Sequence, residues 1–447
     1  MSLTLSEPVT SLPAQAVDAT RRYFDPIEIA PREQIEALQE KRLLEQVAYV
    51  AEHSKLVREI WGDAGVKVAD IKSVADYKRL VPMFDKDALR AYRDTKKDPF
   101  GGVVCPDLSS VTLIGTSGGT TGDPTLFAER YTDPGCYIFT PRELWELGVR
   151  PGDYMAYVDA VMRSVGRTAF QDLGAITLLI DHDPRDLRRF VEWSLKYRPK
   201  TMFLMSSVLI YGLTQYQRET GVDMRDVFSS YTSVMYGGEP LGKKSQALMD
   251  QWNVPLYQMT SLGDAGTSWE CRSRDGFHAW EDLVLLEVID PETGEPTPDG
   301  ERGEMVVTSL CDRTDPLIRF RSGDLVRWTK ARCSCGRTHA RFWTLGRASD
   351  EARVLGRSIL PVDVWDAVES VAETSAGLFQ IIRPQRDMDE LKLRVGYDGT
   401  PDLTMVAGKV ADAVEASVGV RPKVELMPDS ELVKLGPYHK IPRTAKQ

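Results

Sequence analysis

The stretch LIGTSGGTTGDPTLF, Leu113 to Phe127, decides how this chain is read. It begins with apolar residues that suit a strand, then sets four hydroxyls (Thr116, Ser117, Thr120, Thr121) among Gly118, Gly119 and Gly122. Small residues let backbone N–H groups converge on an anion, and hydroxyls add neutral donors. A Walker-type loop needs Gly, four residues, then Gly-Lys-Ser/Thr, whereas here Asp123 and Pro124 follow Gly122. The dinucleotide fingerprint fails too, because the chain runs into Thr125-Leu126-Phe127 instead of opening a helix. Taken alone, the stretch is equally a glycine-rich turn between two strands.

The chain has 447 residues, and a prior of roughly 150 residues per domain gives two or three units. With 56 basic and 66 acidic residues the net charge is −10, and no long cationic stripe interleaves with aromatics. That balance argues against nucleic acid as the main ligand. The first residues lack the basic start and apolar run of a signal peptide, and no segment has membrane-spanning length, so no membrane partner and a cytoplasmic location are expected. Six cysteines are too sparse for a disulfide scaffold, and Cys333-Ser334-Cys335 points to metal before disulfide.

From Pro31 to His53 apolar residues recur at helical spacing. Short apolar runs at Val111 to Ile114, Thr201 to Met205, Ser233 to Tyr236 and Val254 to Met259 alternate with helical patterns such as Pro184 to Arg198. This is the signature of an α/β core with largely parallel sheets. Near Leu283 the pattern changes: LVLLEVID, a Pro/Gly/acidic turn and EMVVTSL predict an antiparallel hairpin in a β-rich subdomain. After Gly346 to Asp350 a small α+β pattern follows, with helices from Val362 and Met405 and strands FQIIRP, LKLRVGY and KVELMP. The short Gly-containing boundary can absorb the dihedral change of a hinge.

TSGGTTGDPT, YGGEP (Tyr236 to Pro240), YQMTSLGDAG (Tyr257 to Gly266), PLIRFRSGD (Pro316 to Asp324) and GRASD (Gly346 to Asp350) follow the order and spacing of the adenylate-forming ligases. SWECRSRDGFHAWEDLVLLEVIDPETGEP and CSCGRTHARF resemble the phenylacetate-CoA ligase-like branch of that superfamily. The resemblance runs from about Arg32 to Arg443. It implies a large N-terminal adenylate-forming domain, residues 1–346, of α/β sheets plus a β-rich subdomain at about 265–345 that carries a possible zinc, and a small mobile C-terminal α+β lid, residues 347–447.

The implied chemistry has two steps. A small carboxylic acid, aryl or similar, attacks the α-phosphate of ATP to give an acyl-adenylate, and coenzyme A then displaces AMP. By the resemblance, Ser117, Gly119, Thr120, Thr121 and Gly122 hold the ATP phosphates, and Gly237, Gly238 and Glu239, with Tyr257, flank the nucleotide. Asp324 accepts from the ribose hydroxyls, a bidentate task that suits a carboxylate. Thr260 contacts the α-phosphate, and Arg347 reaches ribose or phosphate just before the hinge. Catalytic roles thus fall to Lys446, Thr260 and Arg347, with Lys440 as the rival lysine.

Two positions depart from the family. Asp123 stands where a lysine is common, which calls for Mg²⁺ or another basic residue nearby. Ser261 stands where a glutamate holds Mg²⁺, and a hydroxyl is a poorer ligand for a hard cation, so Asp264 is the substitute. Cys271, His278, Cys333 and Cys335 offer four N/S ligands from two loops for a closed structural Zn²⁺ site, with His339 as an alternative to His278. Without the resemblance, free buried thiols are the commoner outcome, and Cys105, Cys136 and Cys311 are ordinary small residues. In the expected acid pocket, Val158 to Leu178, Arg163, Arg167 and Asp172 suit either a polar substrate group or surface salt bridges. Two other readings stand beside the CoA ligase: an adenylating enzyme with an amine or carrier-protein acceptor, and a nucleotide-binding protein with impaired catalysis. Homodimers are expected from the resemblance, with the N-terminal helices serving either as the contact or as core.

Overall fold

The structure is a computed structural model that describes residues 18–116, 123–130, 139–158, 170, 173–180, 186–374, 377–436 and 441–446. These residues form two compact units, one drawn from Met1–Asp153, Met162–Ile176 and Thr260–Thr344, the other from Tyr154–Val161, Thr177–Met259 and Leu345–Gln447.

In the first unit, the helix Arg32–His53 buries Ile35, Gln39, Leu43, Gln46, Val47 and Val50, one stripe at a spacing of three and four. Leu43, Val47 and Val50 join one core cluster with Leu283 to Leu286, Ile318 and Phe320, while Ile35 packs with Ile27 and Ala30, so the apolar face of this helix is used inside the unit. Helices Lys55–Asp63, Val74–Leu80 and Lys86–Lys96 follow, each begun by a side-chain cap from Ser54, Ser73 or Asp85.

The predicted hairpin forms: Val284–Ile289 pairs antiparallel with Arg302–Ser309, Val284 opposite Ser309 and Ile289 opposite Glu304. The sheet order is Val284–Ile289, Arg302–Ser309, Phe320–Thr329, Arg341–Arg347, Phe277–His278. Leu113–Thr116 pairs antiparallel with Leu126–Glu129, Thr116 opposite Leu126, so the glycine-rich stretch connects two hairpin strands. The first of these strands starts two residues later than Val111 and takes in Thr116.

In the second unit Tyr154–Val158, Thr201–Met205, Ser233–Tyr236 and Leu256–Ser261 are parallel neighbours in that order. Thr201–Met205 and Ser233–Tyr236 are buried at every residue, as expected of strands covered on both faces. Helices Leu187–Tyr197, Ser207–Thr220 and Lys243–Gln251 connect them, and Phe190, Leu213, Phe228 and Met249 fill the core. The C-terminal part is a sheet ordered Lys423–Pro428, Lys392–Tyr397, Phe379–Ile382, Thr444–Ala445, backed by helices Pro361–Glu369 and Leu403–Val418. The expected α+β pattern is therefore present, with one strand at the very end of the chain that periodicity did not reveal.

Candidate active site and metal cluster

Ser117, Gly119, Thr120, Thr121 and Gly122, with Cys136, Arg163, Arg167, Asp172 and Lys440, lie outside the described residues. Both flanks of the glycine-rich stretch are described, and the outgoing one is anchored. Asp315 Oδ2 accepts from the Ala128 N–H at 3.1 Å, and Arg130 Nε donates to Thr314 Oγ1 at 3.1 Å. The dipeptide just before PLIRF thus pins the outgoing hairpin strand.

Asp123, the first departure, is held by a bidentate guanidinium: Arg93 Nη1 donates to Oδ1 at 2.8 Å and Nη2 to Oδ2 at 3.1 Å. Arg90 Nη2 adds a bond to the Asp123 carbonyl at 3.1 Å. The hydrogen bonds from Arg93 hold the Asp123 carboxyl below its ordinary range. Asp264, the stand-in at the second departure, sits in a turn at φ 65° with Lys86 Nζ 2.7 Å from Oδ2. Lys86, Arg90 and Arg93 share one face of the helix Lys86–Lys96, at spacings of four and three. Basic residues therefore do stand beside Asp123, and a lysine already balances Asp264, which weakens its fit as a Mg²⁺ ligand. No motif pointed to this helix face.

Thr260 and Ser261 close the strand Leu256–Ser261, and Ser261 is exposed. Asp324 lies within the strand Phe320–Thr329, its N–H donating to Ser322 Oγ at 3.1 Å. Arg319 is engaged in the core with Glu287, Nε to Oε1 at 3.1 Å, while Arg321 pairs with Glu304. Both arginines of the motif are thus engaged in ion pairs within the sheet.

In the second unit, Gly237 and Gly238 follow the buried strand Ser233–Tyr236 at its carboxyl end, where open α/β sheets bind ligands. A Cβ on Gly237 would meet Met259 Cγ at 2.6 Å, and Gly238 has φ 94°, so this turn requires glycine at both places. Tyr257 follows on the neighbouring strand, with Met235 opposite it. Glu239 turns its carboxylate away from open solvent: Oε2 accepts from Arg443 Nη2 at 2.7 Å and Nε at 3.0 Å, and Oε1 accepts from Ser207 Oγ. Arg347 ends the strand Arg341–Arg347 and precedes the turn Ala348–Asp350. Lys446 is exposed, directly after the strand Thr444–Ala445, so the segment carrying it is ordered on the sheet instead of trailing into solvent.

Back in the first unit, Cys271, His278, Cys333 and Cys335 are buried, with one ligand atom from each lying within 4.8 Å of all the others. Cys271 Sγ and Cys333 Sγ are 3.8 Å apart, and Cys335 Sγ is 3.4 Å from His278 Nε2. A disulfide would need about 2.05 Å. Tetrahedral Zn–S bonds of about 2.3 Å put neighbouring sulfurs about 3.8 Å apart, so the spacing suits a four-coordinate metal. Backbone N–H groups of Cys335 and Arg337 point at Cys333 Sγ (3.5 Å) and Cys335 Sγ (3.4 Å), an environment that favours thiolates. The Cys335 thiol is drawn down by the hydrogen bond from Cys271, against the cost of burial, and Cys271 is raised by the same bond and by burial.

His339 is not part of the cluster. Its Nδ1 accepts from the Glu281 N–H at 2.8 Å and its Nε2 faces the Ile27 carbonyl at 3.1 Å, so both ring nitrogens serve the backbone. Cys105 and Cys311 are free thiols, each raised by burial.

No protein-family model matches the chain. It is 29% identical to the phenylacetate-coenzyme A ligase of Thermus thermophilus, over 92% of this chain and 96% of that one. It is 27% identical to the enzyme of the same name from Aromatoleum evansii, over 90% of this chain and 87% of that one. Among solved structures, 2-hydroxyisobutyryl-CoA ligase in the postadenylation state with R3-HIB-AMP matches at a TM-score of 0.84 and 26% identity, covering 96% of this chain and 93% of that one. The relatives and structural neighbours that the chain resembles over nearly its whole length lie in the adenylate-forming superfamily. Within it, the likeness is to the phenylacetate-CoA ligase branch.

Asp315 supplies a pH test of the anchored hairpin. Burial, opposed by the Ala128 N–H and reinforced by the charges of Glu129 and Asp264, pushes its carboxyl up to about 7. An unfolded aspartate titrates near about 3.9, so between those values the native state binds the extra proton. Stability from this group is greatest below the unfolded value and falls as pH rises toward the folded one, by up to about 1.4 kcal/mol per pH unit. Asp315→Asn should remove that slope while keeping the acceptor for Ala128. Urea midpoints of both proteins at pH 5 and pH 7 check it, and parallel pH dependences would refute the assignment.

Proposed function

We propose that the chain is an ATP-dependent, AMP-forming acid–CoA ligase that activates an aryl or similar small carboxylic acid as its acyl-adenylate. The observation that carries this reading is the end-to-end likeness to CoA ligases, through both units and to the last described strand. Catalysis of the first step requires charge on a pentavalent phosphate to be spread over fixed donors. Ser117, Gly119, Thr120, Thr121 and Gly122 would supply them, with Thr260 at the α-phosphate and Lys446 between carboxylate and phosphate. Gly237 and Gly238 would carry adenine on bare backbone, with Tyr257 beside it, while Asp324 and Arg347 would take the ribose. Mg²⁺ would accompany ATP, with Asp264, already paired with Lys86, as the acid offered in place of Ser261. With purified protein, ATP and Mg²⁺, pyrophosphate exchange stimulated by one acid among phenylacetate, benzoate and 2-hydroxyisobutyrate is expected, followed by CoA-dependent AMP release. Exchange without a CoA effect would favour an amine or carrier-protein acceptor. AMP binding without exchange on any acid would mean a nucleotide-binding protein that has lost catalysis.

The four-ligand cluster would hold a structural Zn²⁺ with no position open for substrate. Two loops joined this way stay together when the rest of the sheet breathes. About one zinc per chain by elemental analysis is expected, and Cys333→Ser with Cys335→Ser should abolish it and lower the thermal midpoint. Full metal loss with an unchanged midpoint would argue against a structural role.

Residues 347–447 would act as a lid that rotates about Asp350 between the two steps, within a cytoplasmic homodimer. Asp350→Pro fixes φ at the pivot. It should slow thioester formation more than tenfold and leave pyrophosphate exchange within about twofold, and equal loss of both would place the pivot elsewhere.

A further inference from the structure

Glu239 and Arg443 lie in contact although 204 residues separate them. Their side chains are 3% and 6% exposed, so both charges are out of water. The Arg443 guanidinium spends every face. Nε and Nη2 bind Glu239, Nη1 donates to the Gly377 carbonyl at 3.2 Å, and the plane rests 3.8 Å from the Trp365 ring centroid. Such a fork-to-carboxylate bond fixes direction as well as distance, which a lysine at 443 could not do.

Arg443 directly precedes the last strand, Thr444–Ala445. Its carbonyl accepts from the Ile381 N–H at 2.7 Å, and the Ala445 carbonyl accepts from Arg383 N–H at 2.6 Å. Side chains alternate along a strand, so residues 444 and 446 share one face and 443 and 445 the other. Thr444 uses its face to bond Asp350, Oγ1 to Oδ1 at 2.9 Å. By that alternation Lys446, the residue after the strand, falls on the face of Thr444, and Arg443 with its Glu239 contact on the other.

We infer that the Arg443–Glu239 pair is a clasp that positions Lys446 for adenylation by tying the last strand to the Gly237-Gly238-Glu239 turn. The inference rests on the ligase reading above. Arg443 touches no reacting atom; it is a positioning residue that acts through the strand that follows it. The clasp is made when the nucleotide turn and the lysine must cooperate, and it opens when the lysine leaves for the second step.

Arg443→Met keeps the length and the apolar contact with Trp365 while removing the fork. Pyrophosphate exchange should fall at least tenfold in kcat with AMP affinity by calorimetry held within about twofold. Thioester formation from supplied acyl-adenylate should fall far less. Arg443→Lys should recover only part of the exchange, and Glu239→Gln with Arg443→Met should be no worse than Arg443→Met alone, because one unit is lost either way. Equal loss in both half-reactions, or a double variant as bad as the product of the singles, would overturn the clasp. Amide hydrogen exchange separates this from the ligase reading. If the wild type supports exchange with no acid, the ligase reading fails, yet the clasp still requires the Ile381 and Arg383 amides to lose protection in Arg443→Met; retained protection would overturn it.

Discussion

A guanidinium buried with two carboxylates organises the first unit. Arg337 is 1% exposed, with Glu28 2.7 Å away on the N-terminal side and Glu146 3.0 Å away at the end of the helix Phe139–Glu146. Its plane lies near the rings of Tyr23 and Trp280, and Nη1 approaches Cys335 Sγ at 3.7 Å. Three parts of the chain distant in sequence meet on one cation, which also faces the Cys335 sulfur. Removing one partner from such an arrangement strands buried charge and costs about 3–5 kcal/mol, far more than a surface pair contributes. Arg142 repeats the device next door, bonded to Asp282 at 2.8 Å and Asp25 at 2.9 Å.

The exposed charges follow a different logic. Asp123 stands where a lysine is common in the resembled family and Asp264 is the acid offered in place of the glutamate missing at Ser261, and each meets a cation from the helix Lys86–Lys96. Pairs this close to water add little to stability, about 0–1 kcal/mol each. Their weight lies in the local potential, which would otherwise be set by bare acids.

What the sequence made legible follows from what its patterns encode. The 35, 39, 43, 47, 50 stripe, the hairpin at Val284, the parallel strands and the late α+β pattern are local periodicities, and all are present in the fold. Four ligands at turn-rich spacing could be proposed together, but spacing could not choose between His278 and His339. That choice depends on the register of Phe277–His278 against Arg341–Phe342, which carries His278 to the cysteines, and on backbone groups that occupy both nitrogens of His339. Arg443 with Glu239, and Arg93 with Asp123, carry no local signature. The two-residue strand Thr444–Ala445 has no periodicity to read; it exists because Phe379–Ile382 offers it an edge.

The cysteine cluster and the proposed clasp differ because their duties differ. A set of four ligands closed around one point resists any displacement, since losing one exposes the others, which suits a part that must not move between half-reactions. A buried ion pair is costly to form because both partners give up water, and that same debt is returned when they separate into solvent. Its net hold is therefore modest while its geometry is strict. An apolar contact of similar area would have no directional demand and no hydration to regain on opening. For a strand that, as proposed, would aim one lysine and then let go, the contact of Arg443 with Glu239 is the better chemistry.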